Sequence, residues 1–172
     1  MDFKEYQALA QRTTNKILVK SEHIINGALG LCGEAGEVME LLNVAYVTPA
    51  YKNKKICEEL GDVLWYCAEL NVWLWGAPRD LEGDAFPELT GARGLFLAVT
   101  RVADMVKKAT MQGHEMSAKQ ISDVVGSVVR IVGELAKMYG FTIEQIEREN
   151  IAKLKRRYPN NFDSARSINR EV

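Results

Sequence analysis

Apolar side chains recur at intervals of three and four residues along most of the chain, which is the spacing of one face of an α-helix. This spacing predicts helices over residues 3–13, 22–46, 54–75, 92–110, 117–139 and 142–157. Runs of alternating β-branched residues bounded by turn residues, which would indicate strands, do not occur. The pattern therefore predicts an all-α bundle of about five or six helices, folded as one domain over residues 1–172.

The second half of this pattern repeats the first. A hairpin of helices over about residues 22–76 aligns with a second hairpin over about 92–140. The same residue recurs at three aligned positions: Gly30 opposite Gly94, Gly61 opposite Gly126, and Glu69 opposite Glu134. The chain then resembles a dimer formed within one polypeptide. The alternative is that two amphipathic hairpins align through their shared helical pattern alone.

Four acids of the first hairpin are missing from the second. The four are Glu34, Glu37, Glu59 and Asp62, and Ala98, Arg101, Val124 and Ser127 stand opposite them. Each pair of acids has i, i+3 spacing, which places both side chains on one face of a helix. Two such faces opposed in a hairpin would bring four carboxylates into one cleft. Because the flanking residues are apolar or glycine, we interpret these acids as a site rather than as solvated surface charge.

Four unpaired carboxylates in a partly apolar cleft are unfavourable unless a cation lies between them. Oxygen ligands suit Mg²⁺, with Mn²⁺ as the alternative. Glu58 is either an extra ligand or base, or a solvated partner of Lys55. The alternative for the whole set is exposed acids that pair with lysines.

Three glycines, Gly30, Gly33 and Gly36, lie on one stripe of the helix that carries Glu34 and Glu37. A glycine in a helix interior costs about 1 kcal/mol relative to alanine. We predict that the missing side chains let another helix, or a triphosphate, approach the backbone. Because only Gly30 has a counterpart in the second hairpin, Gly30 is interpreted as structural and the other two as part of the site.

Composition narrows the function classes. A net charge of −1 shows no excess of basic residues of the kind that binds nucleic-acid polymers. The most apolar window is too short and too polar to span a bilayer, and the N-terminus does not read as a signal peptide. The odd number of cysteines, Cys32, Cys57 and Cys67, predicts reduced core thiols and a cytoplasmic protein.

The C-terminal part, residues 142–172, reads as a helix followed by a basic tail. Thr142 and Gln145 have the spacing of a capping box, which predicts where the helix begins. The tail "NNFDSARSINREV" is polar, and we expect it to be partly disordered or to act as an arm onto a neighbouring molecule.

These motifs together resemble the MazG-like all-α nucleoside triphosphate pyrophosphohydrolases, relatives of the dimeric dUTPases. The resemblance rests on ExxE in "GLCGEAGEVMELL", ExxD in "EELGDVLWY", the first helix "FKEYQALAQRTT" and the closing "NIAKLKRRYP". It implies Mg²⁺-dependent hydrolysis between the α- and β-phosphates, giving a nucleoside monophosphate and pyrophosphate. It also implies Mg²⁺ ligands at Glu34, Glu37, Glu59 and Asp62. Phosphate or sugar contacts are implied at Asn150, Lys153, Arg157 and Tyr158.

The chain departs from the family pattern at the basic residues that usually follow ExxE. Asn43 and Val44 stand at those positions, whereas Lys107, Lys108 and the Gly113-His114 pair lie in the second hairpin. One interpretation is that the first hairpin supplies acids and the second supplies the lysines for substrate binding.

Several other side chains have two possible interpretations. Tyr6, Gln7 and Arg12 either contact a base or sugar or form a plain amphipathic helix. Trp65 and Tyr66 either stack on a base or belong to the core, and Trp75 is a candidate for a subunit interface. His23 and His114 are too few for a zinc site, and we expect His23 at the surface or at a helix start.

The resemblance thus implies an Mg²⁺-dependent nucleotide pyrophosphohydrolase. A carboxylate that is not saturated by the metal would accept the proton from water; the sequence does not identify which one, and we choose Glu37 as the candidate. We expect nucleotide-pool control as its role and a homodimer as its assembly, with a tetramer as the alternative. The competing function is a non-catalytic helical protein that binds nucleotides or partners and retains the fold.

Overall fold

The computed structural model describes residues 1–43 and 48–169. Within these residues it contains seven α-helices, one short 3-10 helix and no strand, so the predicted all-α class is confirmed. The helices are α1 (Phe3–Ala10), the 3-10 turn (Gln11–Thr13), α2 (Lys20–Asn43), α3 (Pro49–Trp75), α4 (Gly91–Met111), α5 (Ala118–Met138), α6 (Ile143–Arg157) and α7 (Ser164–Ile168).

Helices α2 to α5 form an antiparallel four-helix bundle. At one end of the first hairpin, Lys52 Nζ at the start of α3 donates to the Leu42 carbonyl near the end of α2, at 3.1 Å. At the other end, His23 on α2 pairs with Glu69 on α3. Since all four helices carry an apolar stripe, their buried faces form one continuous core.

The two hairpins face each other across that core. Asn71, near the end of α3, accepts a hydrogen bond from Ser122, near the start of α5, at 2.8 Å. Because the end of α3 meets the start of α5, these two packed helices run antiparallel. Cys32 on α2 meets the Val99 carbonyl on α4, at 3.7 Å. The start of α2 also lies beside Met116 and Ala118, which follow α4 in the chain, so the N-terminal half of α2 lies beside the C-terminal half of α4.

Helices α1 and α6 cover the outer side of α3. Helix α6 begins with the predicted capping box: the Thr142 hydroxyl accepts from the Gln145 amide, and the Gln145 side chain accepts from the Thr142 amide. Gly61 brings α6 close, because a Cβ there would lie 2.9 Å from Asn150 Cβ. The buried Tyr6 hydroxyl donates to Asn150 Oδ1 at 2.8 Å and so ties α1 to α6.

A crossover segment, residues 76–90, covers the second hairpin where α6 covers the first. At Gly126, the counterpart of Gly61, an added Cβ would collide with the Gly83 carbonyl oxygen. Ser127, the counterpart of Asp62, donates to Asp84 Oδ1 at 2.6 Å. In the second hairpin, the residue that stands opposite Asp62 in the repeat therefore binds the crossover segment.

Two further predictions meet the structure here. The three cysteines are free thiols, two buried and one partly buried, as expected for reduced core residues. His23 lies in the first turn of α2, as one of its two alternatives predicted. The surface alternative is wrong: its side chain is fully buried, because the carboxylate of Glu69 gives it a partner inside the bundle. Among the described helices, none is long and apolar enough to cross a membrane.

The close approach at Gly61 yields a stability prediction. Gly61→Ala should lower the free energy of unfolding by about 1–3 kcal/mol, because the buried Asn150 has no room to retreat from a new methyl group. Gly33→Ala is the matched control on α2: a Cβ there meets nothing within 4 Å, so the helix should gain about 0.5–1 kcal/mol. Urea unfolding of both variants measures the difference, and a Gly61→Ala protein as stable as wild type would contradict the packing described.

Candidate functional site

Three of the four predicted acids meet in a half-buried cluster. A carboxylate oxygen from each of Glu34, Glu59 and Asp62 lies within 4.8 Å of the others. The helical hairpin explains the meeting, because the i, i+3 acids on α3 face α2 at the level of Glu34. We call these three residues the acidic cluster. Glu37 is exposed and lies outside this group, although it lines the same cavity.

Asp62 is held by two residues of α6. Lys153 Nζ donates to both carboxylate oxygens of Asp62, and Asn150 Nδ2 donates to Oδ1 at 2.9 Å. Both Lys153 and Asp62 are about one-fifth exposed, so this ion pair is partly shielded from solvent. The ammonium group compensates part of the negative charge of the acidic cluster.

The remaining charge of the cluster raises carboxyl pKa values. Burial, followed by the nearby Asp62, Glu37 and Glu59 carboxylates, raises the pKa of Glu34 to about 7. Burial and then Asp62 also raise the pKa of Glu59 above its usual range. Each shift means that the folded protein disfavours a further negative charge here, and that a cation in the cluster would be stabilised.

The acidic cluster lines a cavity of about 280 Å³ between α2, α3, α6 and the C-terminal segment. Basic and aromatic side chains also line it: Lys55, Lys153, Arg157, Trp65, Tyr66, Tyr158 and Phe162. Trp65 and Tyr66 meet edge to face with ring centroids 4.9 Å apart. Tyr158 and Phe162 are tilted against each other at 5.6 Å. The cavity thus combines carboxylates, cations and aromatic surface.

Other predicted site residues take different places. Asn150 is buried with Tyr6 and Asp62 as partners, so it orients Asp62 rather than facing the cavity. Glu58 lines the cavity and pairs with Lys55 at 2.7 Å, in agreement with the simpler of its two readings. Tyr6 and Gln7 are fully buried and bonded within the core, so they follow the packing reading.

Lys107 and Lys108 do not reach the cavity within one chain. Both pair with Asp104 on their own helix, at 2.9 and 2.7 Å. Lys107 lies eight residues beyond Val99, about 12 Å along α4 toward the N-terminal end of α2. Glu34 lies on the opposite side of the Cys32–Val99 contact. Their predicted substrate role therefore has no support from the geometry of a single chain.

Of the three glycines on one stripe of α2, Gly30 has the structural role that its counterpart in the repeat predicted. At Gly30 a Cβ would fall 2.1 Å from the Tyr66 ring, so this glycine seats a cavity wall. An added Cβ at Gly33 or Gly36 would meet nothing of the described chain within 4 Å, apart from the adjacent backbone of its own helix. The expected approach of another helix is therefore wrong at these two positions. Space for a ligand beside these two glycines remains a prediction. Val44 and the last three residues of the tail quoted in the sequence analysis, 170–172, lie outside the described residues.

Some lining residues were missed by sequence reasoning. Thr13, Phe162 and Ser167 line the cavity, although they come from the two ends of the chain. Thr13 accepts a hydrogen bond from the Trp65 indole at 3.0 Å. The predicted first helix and the polar tail contained these residues, but no periodic signal indicated that the tail folds back over α3.

Comparison with known proteins found no match to a family model, a curated protein or a solved structure.

The raised pKa of Glu34 predicts how stability depends on pH without divalent cations. The folded-state pKa is about 7, against 4.5 for an unperturbed glutamate. The folded state keeps the proton longer, so the free energy of unfolding falls as pH rises through this interval. Glu34→Gln cannot ionise and should show a shallower fall, measured by thermal melts in chelator between pH 5 and 8.

Burial also raises the pKa of Glu147 to about 7, and this decline is common to both proteins. The difference between them therefore reports Glu34 together with its electrostatic coupling to Glu59. Saturating Mg²⁺ should reverse the order and stabilise wild type more than Glu34→Gln. Identical pH profiles of the two proteins would contradict the position of Glu34 in the acidic cluster.

Proposed function

We propose that this protein is a nucleotide pyrophosphohydrolase that needs Mg²⁺ and cleaves nucleoside triphosphates between the α- and β-phosphates. One observation carries the proposal: three carboxylates within 4.8 Å of one another line a cavity that cationic and aromatic side chains also line. A nucleoside triphosphate presents matching chemistry, with an anionic chain and a flat base. The resemblance of the ExxE and ExxD motifs to the MazG-like group supports the same reaction.

The donor set of the acidic cluster fits a hard divalent cation. All its donors are carboxylate oxygens, which Mg²⁺ and Mn²⁺ prefer, and no thiol or imidazole takes part among the described residues. Lys153 already places a positive charge on Asp62. Glu34, Glu59 and Asp62 would hold the ion, with Glu37 beside them. Bound there, Mg²⁺ would neutralise the triphosphate and orient the attacking water.

The cationic residues of α6 would also bind the phosphates in this proposal. Lys153 and Arg157 lie one turn apart on α6 and line the same cavity. Either can donate to phosphate oxygens, and guanidinium does so with two N–H groups at once. Their donors would stabilise the charge that develops on the departing pyrophosphate.

Glu37 is the proposed base. It is exposed, it lines the cavity, and it lies outside the group of three carboxylates, so its oxygens are not committed to a shared cation. The water oxygen forms a bond to the α-phosphorus while the bond from that phosphorus to the bridging oxygen breaks. The proton of the water passes to the Glu37 carboxylate, and pyrophosphate leaves.

The first test measures pyrophosphate release from a panel of ribo- and deoxynucleoside triphosphates. Turnover should require Mg²⁺ or Mn²⁺ and stop in chelator. A folded protein that releases no pyrophosphate from any nucleotide, yet binds one, would favour the non-catalytic nucleotide-binding function instead.

The second test separates Glu37 from the surrounding surface charge. Glu37→Gln should lower kcat by about 10²–10⁴-fold, the usual contribution of a positioned base. Glu40→Gln is the matched control, since Glu40 is exposed one turn further along α2 and is not among the cavity-lining residues. Equal activity of both variants would remove Glu37 from the mechanism.

A further inference from the structure

A second carboxylate of α3, outside the acidic cluster, is buried deep in the fold. Glu69 is 1% exposed, and three side chains donate to it. Thr14 Oγ1 lies 2.8 Å from its carboxylate oxygens, Gln11 Nε2 lies 3.1 Å from Oε2, and His23 Nδ1 lies 2.6 Å from Oε1. A buried carboxylate is tolerated only with such partners.

His23 is itself held tightly. Its ring is fully buried and stacks on Trp73, with centroids 3.7 Å apart and planes 7° apart. The imidazole therefore has little freedom to leave Glu69. Together the two residues form a rigid anchor between the start of α2 and the last turns of α3, at the end of the hairpin opposite the Lys52–Leu42 contact.

Residues 11–14 extend from this anchor to both walls of the cavity. Gln11 and Thr14 bind Glu69, as described above. Between them, Thr13 Oγ1 accepts from the Trp65 indole at 3.0 Å and donates to the Ala10 carbonyl at 2.8 Å. Arg12 Nη2 donates to the carbonyls of Pro159 and Asn160, at 3.3 and 3.5 Å. One short segment thus contacts the α3 wall and the start of the C-terminal wall.

The two walls carry the aromatic side chains of the cavity. Trp65 belongs to α3, and Tyr158 and Phe162 flank the carbonyls that Arg12 binds. If residues 11–14 shift, both walls lose a hydrogen bond that fixes their separation. The width of the cavity therefore depends on how firmly this segment is anchored.

We propose that Glu69 is a positioning residue for the cavity, acting through residues 11–14 to hold Trp65 and the C-terminal wall in place. Its consequence for nucleotide affinity rests on the proposed function. Its consequence for the Trp65 indole does not, because that hydrogen bond exists without substrate.

The internal repeat supplies a control for this role. Glu134, the counterpart of Glu69, is partly exposed and pairs with Arg130 on its own helix at 2.5 Å. The same residue type at the same place in the repeat thus forms a partly exposed ion pair in the second hairpin. Glu134→Gln removes a carboxylate of equal size without touching residues 11–14.

The test uses the full chain uniformly labelled with ¹⁵N, and its three tryptophan indole N–H signals are assigned with Trp65→Phe and Trp75→Phe. In Glu69→Gln, the Trp65 indole should move upfield and exchange with solvent at least about tenfold faster relative to the slowest α5 amides. Comparison with the α5 amides corrects the exchange rate for any global loss of stability. Glu134→Gln should leave the Trp65 signal unchanged.

Thr14→Val keeps the test decisive if Glu69→Gln does not fold, because it deletes one hydroxyl and retains the side-chain shape. It should shift the Trp65 indole in the same direction by a smaller amount. Unchanged Trp65 position and exchange in a folded Glu69→Gln or Thr14→Val protein would overturn the proposal.

Kinetics form a separate arm. Glu69→Gln should raise KM for the nucleotide about fivefold or more while kcat changes less than about twofold, since lost positioning of a binding wall acts on uniform binding. An equal fall in kcat with KM unchanged would overturn the role assigned here. If wild type itself shows no turnover, the proposed function fails, and the indole signals still decide whether Glu69 positions Trp65.

Discussion

Mutual repulsion among the carboxylates of the acidic cluster is the constraint around which the first hairpin is arranged. Glu34, Glu59 and Asp62 stand within 4.8 Å in a half-buried cleft, and the pKa of Glu34 rises to about 7 as a result of burial and of its neighbours. Lys153 of α6 partly compensates this repulsion by pairing with Asp62. Helix α6 comes near enough to do so because Gly61 has no side chain to hold it away. Charge and backbone packing are therefore coupled at α3.

The two hairpins solve the same packing problem with different coverings. In the first, α6 lies over Gly61 and leaves a cavity beside the acids. In the second, the crossover segment lies over Gly126, and Ser127 and Arg130 bind Asp84 within it. A chain segment thus occupies in the second hairpin the side that the cavity occupies in the first. This asymmetry explains how an internal repeat can carry a single acidic site.

Polar groups inside the bundle connect distant parts of the chain rather than add to the site directly. Glu69 gathers His23, Gln11 and Thr14, and Asn71 gathers Gln7 and Ser122. Each buried group has partners from several helices, so removing one partner would leave an unsatisfied polar atom at a cost of about 1–3 kcal/mol. Such networks favour one arrangement of α1 and the 3-10 turn against α3, and with it one shape of the cavity.

The sequence by itself determined the helical class, the hairpin pattern, the capping box at Thr142 and the pairing of acids on α2 and α3, because each follows from local spacing. It did not predict that Glu37 stands apart, that His23 is buried, or that Lys107 pairs with Asp104 rather than reaching the cavity. These depend on the rotation and register of packed helices, which no periodicity records. Only the tertiary structure decided that residues 11–14 and 158–167 meet over α3, since contacts between the two ends of a chain arise from packing and leave no local signal.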